Sequence, residues 1–546
     1  MKVKTRANTN VSASTNSSAR SGTRTSTGTS TRANAKEIFI GGVVLSATAL
    51  IMRTVGVAFN VYVSGRIGAA GMGLLSLIMS VYSLAVTFAV SGISLASTRL
   101  TAEAMGTDRE EDIRHAMRRC LLYSFFFGTA TFIVLFTFAE KIAISWLEDE
   151  RCITPIRLFA VSMPFVAMSS AMQGYFTALR RVVKSASAQF FEQLIKISAT
   201  SSLLVALAPK GIEYACMAVI GGGSIAEISS FFYTYIMYRY DLRKNNRVRK
   251  AENSGGRGMT RKMCRIALPV AFSAYLRTGL VTLEHMLIPR GLKKYGASSE
   301  NSLETYGILQ GMVLPIILFP TAFLSSFNML LVPELAQASA RGEKRHIDYI
   351  GERFLRFTLM FSVGVCAVMI CFSHELGYVI YNSHKAADFI KTVAPLIPIM
   401  YFDSAVDSML KGLDEQLFNM RINIIDAASS AFLVYILCPR IGIMGYIVTI
   451  FASEIFNLSC SLVRLLNVTG IKIRIFSWIA KPMICALASC TVVRIMLESV
   501  KGIAYSYLSL LVHIVLVLGV YLLLLTVTCT LNRDDRAWVR SFFKKG

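Results

Sequence analysis

Apolar residues in this chain form long runs separated by short polar connections. A helix needs about 20 mainly apolar residues to cross a bilayer, and most runs reach or exceed that length. Hydrophobic patterning therefore predicts fourteen membrane-spanning helices in an all-α polytopic membrane protein. The runs lie near residues 38–63, 72–98, 118–138, 153–179, 186–208, 212–238, 264–289, 305–332, 354–373, 388–411, 417–437, 441–466, 477–497 and 504–531.

One run is unusual because it carries charged side chains. The stretch 266–290 contains Arg277, Glu284 and His285. An ionisable group at the bilayer centre costs at least about 2.5–3.5 kcal/mol on insertion scales, and it is tolerated where it faces protein or a wet cavity. Arg277 and Glu284 are about two helical turns apart, so the sequence predicts one polar face.

The polar positions of this run recur in the first run of the chain. With one constant shift along the sequence, Arg53 matches Arg277, Asn60 matches Glu284 and Arg66 matches Arg290. A slightly larger shift matches Glu192 with Asp426, and Glu227 precedes an isoleucine as Glu454 does. These matches predict two six-helix lobes in a parallel repeat, related by an axis along the membrane normal, plus two C-terminal helices.

The connections predict the orientation of the helices. Even-numbered connections hold most of the Lys and Arg, whereas odd-numbered ones are short, and one is acidic at 148–150. Basic connections favour the cytoplasm, so both termini are predicted to be cytoplasmic. The predicted domains are a disordered basic tail over 1–35, a six-helix lobe over 36–238, a basic linker over 239–263, a second six-helix lobe over 264–466, two further helices over 467–532 and a cytoplasmic tail over 533–546.

Composition agrees with a membrane protein and argues against other classes. Of 546 residues, 54% are hydrophobic and only 16% are charged. The formal charge of +24 is spread over the connections, so positive-inside topology explains it better than nucleic-acid binding. The eleven cysteines show no C-x-x-C pair and no Cys/His cluster, which predicts buried structural thiols in preference to a metal site or a disulfide framework.

The matched arginines are candidates for a substrate site. Two lobes around a shared axis enclose a central cavity, and a guanidinium can bind phosphate oxygens in two places. Arg53 and Arg277 would then bind an anionic group, with Asn60 and Glu284 on the same helix faces. The alternative is that each arginine pairs with an internal carboxylate and only joins helices.

Three acidic residues are candidates for coupling. Glu284 could bind a cation, carry a proton or neutralise an arginine. Asp403 and Asp407 share a helix face, but Asp407 and Lys411 also form an i,i+4 pair, and that structural interpretation is favoured. No metal or cofactor is expected, and coupling by Na⁺, H⁺ or membrane potential stays open. His285 is interpreted as a packed histidine.

No catalytic constellation emerges from the sequence. It has no Walker A loop, no H-E-x-x-H, no G-x-S-x-G and no large outer loop that could carry transferase chemistry. The chain is therefore predicted not to be an enzyme.

Three motifs resemble a known family. They are Arg53-x-x-Gly56, the Gly-rich run over 65–73, and Leu331-Val332-Pro333-Glu334-Leu335-Ala336 followed by Arg341-Gly342. Over about residues 36–531 the chain resembles the stage V sporulation protein B and polysaccharide-exporter branch of the multidrug/oligosaccharidyl-lipid/polysaccharide (MOP) superfamily, which is related to the lipid II flippases. It also resembles the Firmicutes members, which implies a bacterial cell membrane.

The resemblance implies alternating access and a lipid-linked anionic glycan as substrate, such as an undecaprenyl-pyrophosphate-linked sugar or a peptidoglycan precursor, handled together with membrane lipid. Arg53 matches a cavity arginine of the lipid II flippases. A second motif arginine, found near the position of Asn60 in sporulation-type members, is absent here. The predicted anion site would therefore depend mainly on Arg277.

We therefore expect a flippase or exporter for such a precursor, with a role in sporulation or in envelope synthesis. The alternatives are a cation-coupled multidrug exporter that uses Glu284 or Asp407, and a non-transporting membrane scaffold for envelope or spore assembly.

Overall fold

A computed structural model describes residues 27–106, 110–179, 181–244, 256–471, 476–498 and 507–528. Within these ranges the chain contains helices and turns and no strand, which confirms the all-α prediction. The first half forms α1 Thr27–Val90, α2 Ile93–Gly106, α3 Glu110–Lys141, α4 Ile153–Ala160, α5 Met163–Ala178, α6 Val182–Leu207 and α7 Ile212–Lys244.

The described residues of the second half also form helices joined by turns. They form α8 Gly256–Tyr295, α9 Ser299–Gly307, α10 Leu314–Leu318, α11 Thr321–Ala340, α12 Lys344–Cys371, α13 Ser373–Glu375, α14 His384–Val393, α15 Ile397–Gly412, α16 Gln416–Ile441 and α17 Ile443–Val468. Two further helices follow, α18 Lys481–Glu498 and α19 Tyr507–Val527.

The described helices account for most of the predicted membrane spans. Eleven are long and apolar enough to cross a bilayer, or thirteen if each of two bent pairs is counted as one span. The run Leu50–Met105 counts once, although its 56 residues extend about 84 Å at ~1.5 Å per residue and a bilayer core is only ~30 Å thick. The backbone of this run leaves helical geometry at Gly68 (φ 71°, ψ 179°). The count of fourteen stays a prediction, and it is reached if this run crosses twice.

The ends of the predicted domains lie partly outside the described residues. Residues 1–26 of the tail, 245–255 of the linker and the whole of 533–546 are among them. Helix α1 begins at Thr27 and so includes the last part of the predicted disordered tail, residues 27–35. The lobe limits themselves stay a prediction.

Prolines at matched positions near the starts of two helices agree with the internal repeat. Helices α4 and α5 meet at a bend of 47°. Helix α5, which follows this bend, begins Met163-Pro164, and α15 begins Ile397-Pro398 after a 3₁₀ turn within the continuous run His384–Gly412. The shift that matches Glu192 with Asp426 also matches Pro164 with Pro398. Proline fits the first turn of a helix because the amide that it lacks would have no partner there.

A reciprocal glycine contact joins the two halves. A Cβ at Gly73 would overlap the carbonyl oxygen of Leu303, and a Cβ at Gly307 would overlap that of Ala69. The shift that relates the two prolines also matches Gly73 with Gly307 and Ala69 with Leu303. Contacts that exchange partners in this way are expected beside a two-fold axis, and only glycine leaves room for the backbones to approach so closely.

A second matched pair of contacts has reversed charges. In the first half, Arg181 and Lys184 form ion pairs with buried Asp241 of α7. In the second half, Glu415 accepts from Arg464 of α17 at 2.6 Å. Arg181 and Glu415 occupy matched positions of the repeat. In the first half the contact joins the connection before α6 to the end of α7, and in the second half it joins the connection before α16 to the end of α17. The repeat therefore keeps the position of the contact but exchanges its basic and acidic partners.

The two C-terminal helices pack against α12. The ring of Tyr521 in α19 lies against Gly364, where a Cβ would be 2.7 Å from the ring. The Tyr521 hydroxyl donates to the carbonyl oxygen of Met360 at 2.8 Å. Helix α18 also contacts α12 through buried Cys490, whose thiol donates to the carbonyl oxygen of Ala367 at 3.6 Å.

Candidate functional site

Helix α8, which carries the charged residues of the run 266–290, bridges the two halves. One side contacts the second part of α1 and the adjoining turn through hydroxyl groups. Thr282 donates to the Ser80 carbonyl oxygen at 3.2 Å, Thr87 donates to Thr278 at 3.4 Å, and Tyr275 donates to the Ser91 hydroxyl at 2.6 Å. This hydroxyl side explains part of the polarity of α8.

Salt bridges hold both ends of α8 to the first half. Near its start, Lys262 lies 2.6 Å from Glu103. Near its end, Arg290 and Lys293 lie 2.8 and 3.4 Å from Glu148, which belongs to the acidic connection predicted to be outside the cell. Salt bridges therefore connect α8 to the first half near both of its ends.

Arg277 lies on the side of α8 that faces acidic residues of the second half. Its charge interacts with those of Asp407 in α15 and Asp426 in α16. The Arg277 side chain is nevertheless exposed, and within the described ranges it forms no salt bridge. The prediction that each arginine only pairs with a carboxylate is therefore not supported for Arg277, because a guanidinium in a direct pair would have less free surface.

Arg53 is also close to α15. Its charge acts on the hydroxyl group of Tyr401, less than two turns before Asp407 on that helix. The Arg53 side chain is exposed, and it forms no salt bridge in the part of the chain that the structure describes. Two arginines from different halves thus come within electrostatic range of one helix, α15.

Four carboxylates from three helices of the second half form an acidic group. Asp403 and Asp407 belong to α15, Asp426 belongs to α16 and Glu454 belongs to α17. The charge of Asp403 interacts with those of the other three. We call these four residues the acidic group.

Amide and hydroxyl side chains hold the acidic group in place. Asn419 donates to Asp407 Oδ1 at 3.0 Å, and Ser453 donates to Asp426 Oδ1 at 2.7 Å. Asp403 Oδ1 and Asn419 Oδ1 are buried without a hydrogen-bond partner in the described part of the chain. Uncompensated buried oxygens are costly, and oxygen atoms are the ligands that hard cations prefer.

Lys411 does not form the predicted direct pair with Asp407. Their charges interact, but no salt bridge within 4 Å joins them in the described residues, and Lys411 is exposed. The i,i+4 spacing places the two side chains on one helix face without bringing their charged atoms together, since Asp407 accepts from Asn419 instead.

Glu284 and His285 point to different neighbours. Glu284 is half-buried, forms a hydrogen bond with Ser430 of α16, and its charge interacts with that of Asp426. His285 Nδ1 lies 3.1 Å from the Tyr306 hydroxyl, as expected for a packed histidine. Glu284 therefore borders the acidic group and does not belong to the contact with the first half.

Asn60, which matches Glu284 in the repeat, has different hydrogen-bond surroundings from Glu284. Its Oδ1 atom is buried without a partner in the described ranges, and no hydrogen bond there joins it to Glu284. The two positions are therefore related by the repeat but not by contact.

The first half contains a smaller network of half-buried polar side chains. The Tyr82 hydroxyl of α1 donates to Glu227 Oε1 of α7. The charges of Glu192 and Lys196 in α6 act on Glu227 as well. Glu192 and Asp426 occupy matched positions, so both halves hold half-buried acids there, but only the second half adds two aspartates on α15. Tyr82 was missed because a lone tyrosine in an apolar run carries no signal.

Ordinary metal-binding side chains are not clustered in the part of the chain described. No group there of three or more His, Cys, Asp and Glu residues could hold a metal ion.

Comparison with protein families gives two matches that follow one another along the chain. Residues 39–290 match the model described as "Polysaccharide biosynthesis protein". Residues 295–436 match the model MatE. The first match contains Arg53, Arg277 and Glu284, and the second contains three members of the acidic group.

Relatives from Bacillus subtilis cover most of the chain. Stage V sporulation protein B is 26% identical over 423 residues, which is 75% of this chain and 80% of the relative. Lipid II flippase MurJ is 19% identical over 417 residues, which is 70% of this chain and 74% of the relative. The chain is homologous to the stage V sporulation protein B branch of the MOP superfamily.

Solved structures of MOP proteins share the fold. Lipid II flippase MurJ in an inward closed conformation superposes with a TM-score of 0.68 at 14% identity, covering 89% of this chain and 99% of that one. A multidrug resistance MATE family transporter in an inward-facing conformation gives a TM-score of 0.55 at 14% identity and covers 78% of this chain and 98% of that one. The larger coverage by MurJ agrees with a MOP transporter fold that extends beyond the MATE core.

Proposed function

We propose that this MOP transporter moves a lipid-linked anionic glycan or a peptidoglycan precursor across the cytoplasmic membrane by alternating access. The observation that carries the proposal is Arg277, an exposed guanidinium within a membrane-spanning helix that forms no salt bridge among the described residues. A charged side chain within the membrane costs free energy. We therefore infer that this guanidinium binds an anion during at least part of the transport cycle.

The substrate group proposed for this position is the pyrophosphate of a lipid carrier. A guanidinium presents two parallel N–H donors to a phosphate, and charge-assisted hydrogen bonds are about twice as strong as neutral ones. Arg53 approaches the same helix, α15, from the other half, and Asn60 and Glu284 complete the proposed substrate site. The names of two relatives, a lipid II flippase and a sporulation protein, support a precursor of the envelope or spore coat.

The orientation proposed for the transporter follows from its charged connections. The start of α12 adjoins Arg341, Lys344 and Arg345, which favours the cytoplasm, whereas the connection with Glu148 favours the outside. Both termini are then cytoplasmic, and the membrane is that of a bacterial cell, as the Bacillus relatives support.

Coupling is proposed to occur at the acidic group. Asp403, Asp407 and Asn419 would hold Na⁺ through their oxygens, or one aspartate would take up a proton. The buried oxygens of Asp403 and Asn419 without partners in the described residues fit a small hard cation. Since the charge of Arg277 acts on Asp407, occupation of this group would change the affinity of Arg277 for an anion, and the converse follows by linkage.

Changing Asp407 to Asn is expected to remove the stimulation of transport by an ion gradient. The amide keeps the size of the side chain but loses the charge that holds a cation or a proton. Leaflet transfer would be measured in vesicles with inward and outward Na⁺ or H⁺ gradients. Asp388→Asn, an exposed position on α14, is the matched control. Full gradient stimulation in the Asp407 variant would place coupling elsewhere.

The proposed function is tested by reconstitution in liposomes. Fluorescent undecaprenyl-pyrophosphate-linked substrates would be placed in one leaflet, and their appearance in the other leaflet would be followed by quenching. We expect transfer to be faster with the protein than in empty liposomes. Transfer at the rate of empty liposomes for every head group tested, by protein whose fold is intact, would contradict the proposal.

A cation-coupled drug exporter is the second candidate, because the acidic group alone would suit such an activity. It predicts lower drug accumulation in cells that contain the protein and no transfer of lipid-linked substrates in liposomes. A non-transporting scaffold predicts neither effect and tolerance of substitutions at Arg277.

A further inference from the structure

Two cysteines meet where α18 packs on α12. Cys371 is the last residue of α12, and Cys490 lies near the middle of α18, far away along the chain. Their thiols are close enough to interact with each other. The Cys490 thiol is also 3.6 Å from the carbonyl oxygen of Ala367, one helical turn before Cys371. Side chains from two helices thus place two sulfur atoms next to each other.

We propose that Cys371 and Cys490 are a redox pair that forms a reversible disulfide at the outer side of the membrane and links the C-terminal helices to the second lobe. The proposal uses the orientation given under the proposed function. Neither cysteine belongs to the substrate or coupling residues described above.

The orientation places this pair near an oxidising compartment. Helix α12 starts at the basic cytoplasmic connection and ends at Cys371, so this thiol is near the outer surface. Disulfides form and persist at cell surfaces, whereas cytosolic thiols are kept reduced. The Cys371 side chain is half-buried at the end of its membrane span, whereas Cys490 is only 6% exposed.

The surroundings favour reaction at Cys371. The guanidinium of Arg494, one turn after Cys490, is close enough for its charge to act on the Cys371 sulfur. A nearby cation stabilises a thiolate, which is the form that attacks a disulfide. The nearby Cys366 does not share this position at the helix end.

The reaction is a thiol–disulfide exchange with an external low-molecular-weight disulfide as the oxidant. The Cys371 thiolate attacks one sulfur of that disulfide and forms a mixed disulfide, and one small thiolate leaves. The Cys490 thiolate then attacks the Cys371 sulfur, forms the protein disulfide and displaces the second small thiolate. Two protein thiols lose two protons and two electrons, and one small disulfide becomes two small thiols.

The new bond would limit separation of α18 from α12. Helix α19 is already fixed to α12 by Tyr521, so the disulfide would join both C-terminal helices to the same helix of the second lobe. Transport steps that require these helices to move apart would then depend on the redox state.

The test is a thiol count on the full-length protein in nanodiscs. The protein would be treated with glutathione disulfide, denatured, and alkylated with a maleimide that adds a fixed mass to each free thiol. We expect the number of labelled cysteines to fall from eleven to nine and to return to eleven after reduction. Peptide mass spectrometry should identify a linked pair that contains Cys371 and Cys490.

The variants separate this pair from other cysteines. Cys366→Ser, a half-buried position on the same helix, should still lose two thiols on oxidation. Cys371→Ser should lose none, and Cys490→Ser should lose only one, because its Cys371 would remain a mixed disulfide with glutathione. Retention of all eleven thiols in the wild-type protein, or linkage of Cys366 in place of Cys371, would overturn the proposal.

A second measurement tests the compartment. In intact cells, a membrane-impermeant reductant should be required before a membrane-impermeant maleimide labels Cys371. Labelling without reduction would contradict an oxidised pair at the surface. The thiol count in nanodiscs needs no transport, so a failed flippase assay would not affect it, and a failed thiol count would leave the proposed transport intact.

Discussion

Replacing Arg277 with alanine is expected to abolish translocation of a pyrophosphate-linked substrate in liposomes. Hydrogen bonds to charged groups contribute roughly 1.5–3 kcal/mol each, so the loss of two corresponds to a fall in transfer rate of at least about 100-fold. The effect should be large because the acidic group beside Arg277 would then repel the anionic substrate without compensation.

Arg277→Lys and a matched control make this prediction specific. Lysine keeps the positive charge but not the planar pair of donors, so we expect only partial transfer, roughly a tenth of the wild-type rate. Arg265→Ala removes an exposed arginine about three turns earlier on α8 and should leave transfer unchanged. Wild-type transfer by Arg277→Ala protein, at normal expression, would exclude this residue from the substrate site.

Gly307→Ala is expected to destabilise the arrangement in which the two halves meet. The added methyl group would overlap the Ala69 carbonyl oxygen and the Gly73 backbone, so the two helices must separate. Overpacking of this kind costs typically about 1–3 kcal/mol, which would reduce the population of this conformation by about 5- to 150-fold. Distances between spin labels on α1 and α9 would report the change.

The repeat supplies the partner variant, and α8 supplies the control. Gly73→Ala should have a similar effect because the contact is reciprocal, and the double variant should cost less than the sum of the two, since either methyl group already separates the helices. Gly279→Ala has open space around its Cβ and should leave the distances unchanged. Unchanged distances in Gly307→Ala would show that the contact is not tight in the membrane.

Much of the fold was predictable because a bilayer imposes strong local rules. Apolar runs of sufficient length must become helices, since backbone polar groups in lipid need internal partners. The run that holds Arg277 was recognisable because it carries ionisable residues within an apolar segment. The prolines at the starts of α5 and α15 and the reciprocal glycines were less apparent, because prolines and glycines are common in membrane helices. Only the contacts in the structure show which of these residues shape the packing.

The number of spans illustrates the limit of such rules. Fourteen apolar runs were predicted, whereas the described helices give eleven, or thirteen with the bent pairs. Helix α1 continues through the predicted connection near Gly68, so two runs become one helical stretch with a local break. Run length predicts how much chain lies in the membrane, but backbone geometry at single residues decides where a helix is interrupted.

The candidate site was predicted in part. Arg53, Arg277 and Glu284 stood out individually, and the repeat predicted that the two arginines share a site. The hydroxyl side of α8, built from Tyr275, Thr278 and Thr282, was not recognised, because such residues pack in membrane helices without special function.

The amino-acid sequence by itself determined the helical class, the two matched halves and the charged residues within the membrane, because these follow from hydrophobicity, spacing and repetition along the chain. Only the tertiary structure decided which charges meet. The acidic group combines α15, α16 and α17, and the cysteine pair joins α12 to α18. No local pattern encodes such neighbours, because the packing of whole helices sets the distance between side chains that are far apart in sequence.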